Sequence, residues 1–200
     1  MPVRSDIHYY DGVFFITVTC NRWLSLIQEA NGYSFVYKWF DQLKCTGHLI
    51  SGYVIMPNHF HALIAFRNTM GLSINDIVGT VKRFMSYGIA NTLMRMGKLD
   101  LVHQLKDDVN KHDRMNGKIH KVFQPSFDWK ECRTDEFMNQ KLDYMHMNPC
   151  QGKWNLVENY WQYVHSSAYF YTTGEQGFYP VTHIGDLKHI DLTIQWKGNS

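Results

Sequence analysis

His59-Phe60-His61 sets two imidazoles two residues apart. Alternate side chains of a strand leave the same face, so these two rings can share one metal ion. With 11 histidines in 200 residues, about 0.6 such pairs arise by chance, so the spacing alone is weak evidence. A second candidate lies far downstream, in Leu142-Asp-Tyr-Met-His-Met-Asn-Pro149. Tyr144 and Asn148 are one helical turn apart and share a helix face. A phenol and an amide there can address one point. His146, two positions from Tyr144, points elsewhere and is expected to pack rather than act as a base.

These residues need elements to hold them. Val13 to Cys20 is rich in β-branched and aromatic residues and reads as a strand. Tyr33 to Cys45 carries Val36, Trp39, Phe40 and Leu43 at helical spacing. His48 to Met56 reads as a second strand. Pro57-Asn58 is a turn signal, and His59 to Phe66 reads as a third strand hairpinned with the second. Ser73 followed by Asp76 fits a capping box, with a helix running on through Met85. From about Gly97 to Lys121 the chain is polar with weak periodicity, which reads as an excursion open to motion. Val122 to Arg133 reads as an extended edge, because Pro125 cannot donate to a ladder. Thr134 is a good N-cap, Asp135 and Glu136 suit a helix start, and Pro149 stops that helix near Asn148.

The order strand, helix, strand, strand, helix, strand, helix predicts an α+β, ferredoxin-like fold: an antiparallel sheet with helices on one face, plus an extra C-terminal helix and tail. One domain over residues 1–200 is expected, its core at about 13–150 and its extension at 151–200. The tail after Asn155 is expected to wrap that core.

Composition narrows the class. Net charge is only +2, so any nucleic-acid surface must come from local clustering. Cys20, Cys45, Cys132 and Cys150 form no Cys-x-x-Cys pair, which argues against a zinc ribbon and for thiols of a reducing compartment. Arg4, Asp6 and His8 interrupt the apolar start, and no apolar run approaches the length of a membrane span, so a cytoplasmic protein without a leader is expected.

Met56-Pro-Asn-His-Phe-His-Ala-Leu-Ile64 together with Tyr144-Met-His-Met-Asn-Pro149 resembles the HUH single-tyrosine transposases, which include the enzymes of the smallest insertion sequences and the REP-associated tyrosine transposases. The resemblance runs from about Phe14 to Tyr171, through Phe123-Gln-Pro-Ser-Phe127, Arg133, Gly152-Lys-Trp154 and Ser166-Ser-Ala-Tyr169. It implies that His59, His61 and Asn148 bind a divalent metal, magnesium or manganese, and that Tyr144 attacks DNA. The expected activity is single-stranded DNA cleavage and strand transfer through a 5′-phosphotyrosine. The expected partner is single-stranded DNA beside a hairpin.

The chemistry is coherent. A divalent cation offsets the negative charge that makes a phosphodiester resist nucleophiles. A tyrosine adduct keeps the phosphoester energy, so rejoining needs no nucleotide, and the chain has no G-x-x-x-x-G-K-[ST] loop. The metal ligands are expected at an exposed site. Lys82 and Arg83, off the apolar stripe of their helix, and Arg133, at the end of the last strand, are candidates for DNA phosphates; a solvated face explains them equally well. The methionines at 94, 96, 138, 145 and 147 read as core filler. Two other functions fit: a replication or conjugative nickase with the same chemistry, and a non-catalytic module that stacks single strands on sheet aromatics. A homodimer stays open, since the sequence leaves undecided whether Tyr144 serves its own histidines or a partner's.

Overall fold

A computed structural model describes residues 10–68, 71–125 and 127–195. Arg4, Asp6 and His8, on which the expectation of a leaderless start rests, and Ser126 lie outside the described residues. Four strands, β1 (Gly12–Thr19), β2 (Leu49–Ile55), β3 (His59–Phe66) and β4 (Asp128–Glu131), form one antiparallel sheet in the order β2-β3-β1-β4. The helices are α1 (Leu26–Glu29), α2 (Tyr33–Cys45), α3 (Ile74–Arg95), α4 (Leu99–Asp107), α5 (Lys111–Met115), α6 (Asp135–Met147) and α7 (Ala168–Thr173). This is the α+β arrangement that the sequence predicts.

The period of two along β3 divides the core. Phe60, Ala62, Ile64 and Phe66 join Phe14, Ile16 and Val18 of β1 under α2 and α3, in one cluster of fully buried side chains. Leu63 and Ala65 join Phe15 on the opposite face, under Met138, Leu142 and Met145 of α6. The extra helix therefore covers the face that α2 and α3 leave bare. It comes close because Gly52 of β2 has no Cβ, which would overlap Leu142. A register shift between Ile50 and Gly52 marks the same spot.

Caps match the sequence signals. Ser73 Oγ accepts from Asp76 N at 3.1 Å, and Thr134 Oγ1 accepts from Phe137 N at 3.2 Å. The Ser73 hydroxyl also donates to the Asp76 carboxylate at 2.7 Å.

Two expectations are corrected. The 97–121 excursion is folded: α4 buries Val102 and Leu105 against the core, and α5 follows it. Its charges are used internally, as Lys98 pairs with Glu29, Asp108 with Arg22, and Lys118 with Asp113. Nine residues are too short a helix to make a visible period. Of the methionines, Met138 and Met145 are buried, but Met94, Met96 and Met147 are exposed. Methionine content does not fix a face: residues two apart on a helix point to different sides, so Met145 is buried while Met147 is exposed.

The extended reading of 122–133 narrows to β4 plus a single bridge between Cys20 and Phe123, and β4 does lie at the sheet edge. The other edge, β2, is covered by the tail. Ser167 N donates to Tyr53 O at 2.9 Å, Ile55 N to His165 O at 2.8 Å, and Thr182 N to Ile50 O at 2.9 Å. An open edge strand is a template for unwanted pairing, and the tail removes it. Among the described residues no helix is long and apolar enough to cross a membrane.

Candidate functional site

β3 puts His59 and His61 on the α6 face, with ring centroids 4.8 Å apart. Antiparallel register sets Thr17 opposite His61 and Thr19 opposite His59. Direct cross-strand partners touch, and Thr17 Oγ1 lies 2.8 Å from His61 Nδ1. Asn58, at the end of the Pro57-Asn58 turn, donates from Nδ2 to Trp23 O at 3.0 Å. That bond turns its Oδ1 toward His59 Nδ1, 2.6 Å away. An amide oxygen only accepts, so His59 carries its proton on Nδ1 and keeps a lone pair on Nε2.

α6 brings the second motif. Tyr144 is half exposed, and its ring centroid lies 5.3 Å from that of His61 and 6.1 Å from that of Phe15. Phe15 stacks on His61 at 5.1 Å. Asn148 closes α6, its Nδ2 donating to Tyr144 O at 2.9 Å. Its side chain also reaches His59, on which it exerts an upward pull. One chain thus brings His59, His61, Tyr144 and Asn148 together.

Burial corrects another expectation. The two histidines are not at an exposed site: each is only 4% exposed. Phe15, Trp23, Tyr144 and Trp154 crowd around them. Burial pushes His59 down to about 4, against a smaller upward pull from Asn148 and with a further push from the Lys153 charge. Burial, then His59, then the Lys141 charge hold His61 well below its usual range. Both rings are therefore neutral near pH 7, the form that binds metal. His61 Nε2 is buried and, among the described residues, without a hydrogen-bond partner. An orphaned buried nitrogen costs stability unless something meets it, and a cation does so. Each Nδ1 already has an oxygen partner, the arrangement that orients metal-bound histidines. The donor set therefore fits a metal held by His59, His61 and the Asn148 amide. Among the described residues no cluster of three or more His, Cys, Asp or Glu exists.

The remaining candidates lie elsewhere. Lys82 and Arg83 sit on α3, which covers the opposite face of the sheet. They line a cavity of about 660 Å³ with Tyr87, Lys118, Phe127 and Trp129. Lys82 is engaged there: Nζ donates to the carbonyls of Gln124 and Pro125 at 2.6 and 3.0 Å. Burial, then Lys118, pushes it down to about 8. Arg133 is on the surface and pairs with Glu131 at 2.8 Å. His146 packs as expected: it is buried, 2.9 Å from Ser167 Oγ.

Sequence reasoning missed Asn58, Thr17, Trp23 and Lys141. Lys141 precedes Tyr144 by three on α6, and its ammonium lies 5.3 Å from the Phe15 ring centroid and 5.9 Å from that of Tyr144. The spacing of three was visible in the sequence. The others needed the strand register and the loop before α1.

The chain is similar in fold to a REP-associated tyrosine transposase. That solved structure, bound to a REP hairpin, matches at TM-score 0.55 and 16% identity over 100% of this chain and 98% of the other. A Deinococcus radiodurans R1 protein described as a candidate transposase matches at TM-score 0.36 and 11% identity, over 71% of this chain and 95% of that one. No family model matches the chain. No curated protein matches it.

Proposed function

We propose that the chain is a metal-dependent enzyme of transposase type that cleaves single-stranded DNA and transfers the cut strand through a covalent 5′-phosphotyrosine. One observation carries this reading: two buried, neutral histidines, a helix-end amide and a half-exposed tyrosine converge from segments more than eighty residues apart. The unmet His61 Nε2 lies beside the half-exposed Tyr144 phenol, where a cation would meet it.

His59, His61 and Asn148 would hold magnesium or manganese. When bound, such an ion neutralises charge on a phosphate oxygen and orients the phosphodiester. Tyr144 Oη then attacks phosphorus. The new O–P bond forms as the bond from phosphorus to the 3′ oxygen breaks. The leaving strand takes up a proton and departs with a 3′-hydroxyl, while the 5′-phosphate stays on Tyr144. A second 3′-hydroxyl reverses these steps and joins the strands. Lys141 sets a positive charge beside the Tyr144 ring, where the phosphate arrives. Asn58 and Thr17 hold the imidazoles so that no reorganisation is needed.

Tyr144 lies against histidines of its own chain, so one protomer can assemble the set. The hairpin on the similar transposase supports hairpin-flanked single strands as the substrate class. Arg133 and the Lys82–Arg83 cavity are proposed to hold flanking phosphates, and the cytoplasm is the compartment such DNA implies.

The test incubates the protein with end-labelled single strands from either side of its gene, in magnesium or manganese, and resolves products on a denaturing gel. A protein–DNA adduct is expected, absent in excess chelator. Tyr144→Phe should bind DNA unchanged and form no adduct. An adduct with the Phe variant, or in chelator, would falsify the assignment. No adduct from any flanking strand would favour the non-catalytic binding module.

A further inference from the structure

We infer that Trp23 and Trp154 form a stacking clamp for unpaired nucleobases, holding the bases next to the phosphate that Tyr144 attacks. This rests on the proposed function above and adds a binding subsite to it.

Both indoles contact one imidazole: the Trp23 ring centroid lies 5.8 Å from that of His59 and the Trp154 centroid 6.4 Å. Trp23 is 54% exposed, an unfavourable state for so large an apolar ring. The backbone holds it out in a conformation that L residues rarely adopt, with φ of 52° at Arg22 and 59° at Trp23. Such strain persists only where surrounding bonds impose it, and it gathers at functional sites. Here Trp23 N donates to Cys20 O at 3.1 Å. Asn58 Nδ2 holds Trp23 O, Arg22 pairs with Asp108, and Asn21 Nδ2 donates to the same carboxylate at 2.5 Å. Asn58 also orients His59, so one side chain fixes both the indole's backbone and the imidazole.

Trp154 packs against the core cluster under α6. It is half-buried on a turn between Gly152 (φ 61°) and Asn155 (φ 39°), with its N donating to Gln151 O at 3.2 Å. The Lys153 ammonium lies 5.1 Å from the Trp154 ring centroid. Rings plus a cation are the chemistry that takes a base and its phosphate. A duplex base is already stacked on both sides, so only an unpaired strand offers the faces these indoles need.

Binding is measured without divalent metal, which removes cleavage. The probes are labelled oligo(dT) and an abasic phosphodiester of the same length, read by fluorescence anisotropy. The two carry equal charge, so their difference isolates the bases. Wild type should prefer oligo(dT) by about 10-fold or more. Trp23→Leu and Trp154→Leu should each cut oligo(dT) affinity about 5- to 10-fold and leave abasic affinity unchanged. Trp23→Phe, which keeps a ring, should retain most of the preference. Unchanged oligo(dT) affinity in both Leu variants overturns the clamp. So does an equal loss on both probes, which would mark a merely structural role, and thermal melting checks that each variant is folded. Adduct formation is scored separately. An adduct without base preference removes the clamp alone, and base preference without an adduct from any flanking strand removes the cleavage reading alone.

Discussion

The two faces of the sheet are equally dry and do opposite things. Phe60 and His61 are neighbours on β3, 0% and 4% exposed. Phe60 meets Trp39 at 5.6 Å in a cluster of hydrocarbon and aromatic side chains that carries no imidazole, although Trp39 Nε1 and the Tyr53 hydroxyl are buried in it, unmet among the described residues. His61 meets Thr17, Phe15 and Tyr144, with one nitrogen unmet. Burial is thus no guide to role here. What separates the faces is which helix covers them. α3 presents a full apolar stripe, whereas α6 is apolar at Met138, Leu142 and Met145 and carries Lys141 and Tyr144 beside them. Low dielectric is put to two uses: it rewards hydrocarbon on one side, and on the other it keeps imidazoles neutral and strengthens charge interactions.

The neighbours on β3 break or confirm this contrast most directly. His61→Ala should lower adduct formation at least about 10²-fold while costing about 1–3 kcal/mol of stability, since the lost packing and hydrogen bond are offset by removal of the unmet Nε2. Phe60→Ala should cost about 3–5 kcal/mol and leave the activity of the folded fraction intact. Denaturant melts and adduct yields per folded molecule check both. Equal stability losses would show that the histidine face is ordinary core.

A glycine pair sharpens the comparison. A Cβ on Gly52 would strike Leu142 Cδ2, so this buried side chain, and α6 where it has no room to turn, must shift. A Cβ on Gly88 of α3 would meet the Phe35 ring at 2.7 Å, and that ring can turn aside. Gly52→Ala should cost about 1–3 kcal/mol and reduce adduct formation, because Tyr144 moves with α6. Gly88→Ala should change stability less and activity not at all. Activity loss in the Gly88 variant would mean the faces are coupled.

The smallest effect is in pH. Burial pushes His48, His59, His146 and His165 each down to about 4, and holds His61 well below its usual range. These folded values lie below the unfolded value of about 6.5. Between them the unfolded chain binds more protons, so stability is present above about pH 6.5 and is lost as pH falls toward 4. Each histidine contributes at most about 1.4 kcal/mol per pH unit in that window. Replacing His146 by Gln should flatten the melting-temperature profile there, and an unchanged slope would mean His146 titrates alike folded and unfolded.

Sequence alone determined the elements wherever local forces decide. β-Branched and aromatic content set β1, the Pro57-Asn58 turn set the β2–β3 hairpin, Ser73 and Thr134 announced α3 and α6, and Pro149 announced the end of α6 beside Asn148. The same local rules put His59 with His61 and Tyr144 with Asn148, because strand and helix periods are properties of a segment. Only the tertiary structure decided the rest. It folded α4, whose two buried residues make too short a pattern to read. It also buried the histidine pair, because the covering rings come from β1, the loop before α1, α6 and the turn at Trp154. Asn58 holding both His59 and Trp23, and Gly52 admitting α6, depend on register and on contacts between segments far apart in sequence. No local pattern encodes such contacts, since their energy exists only once the sheet has formed and both of its faces are covered.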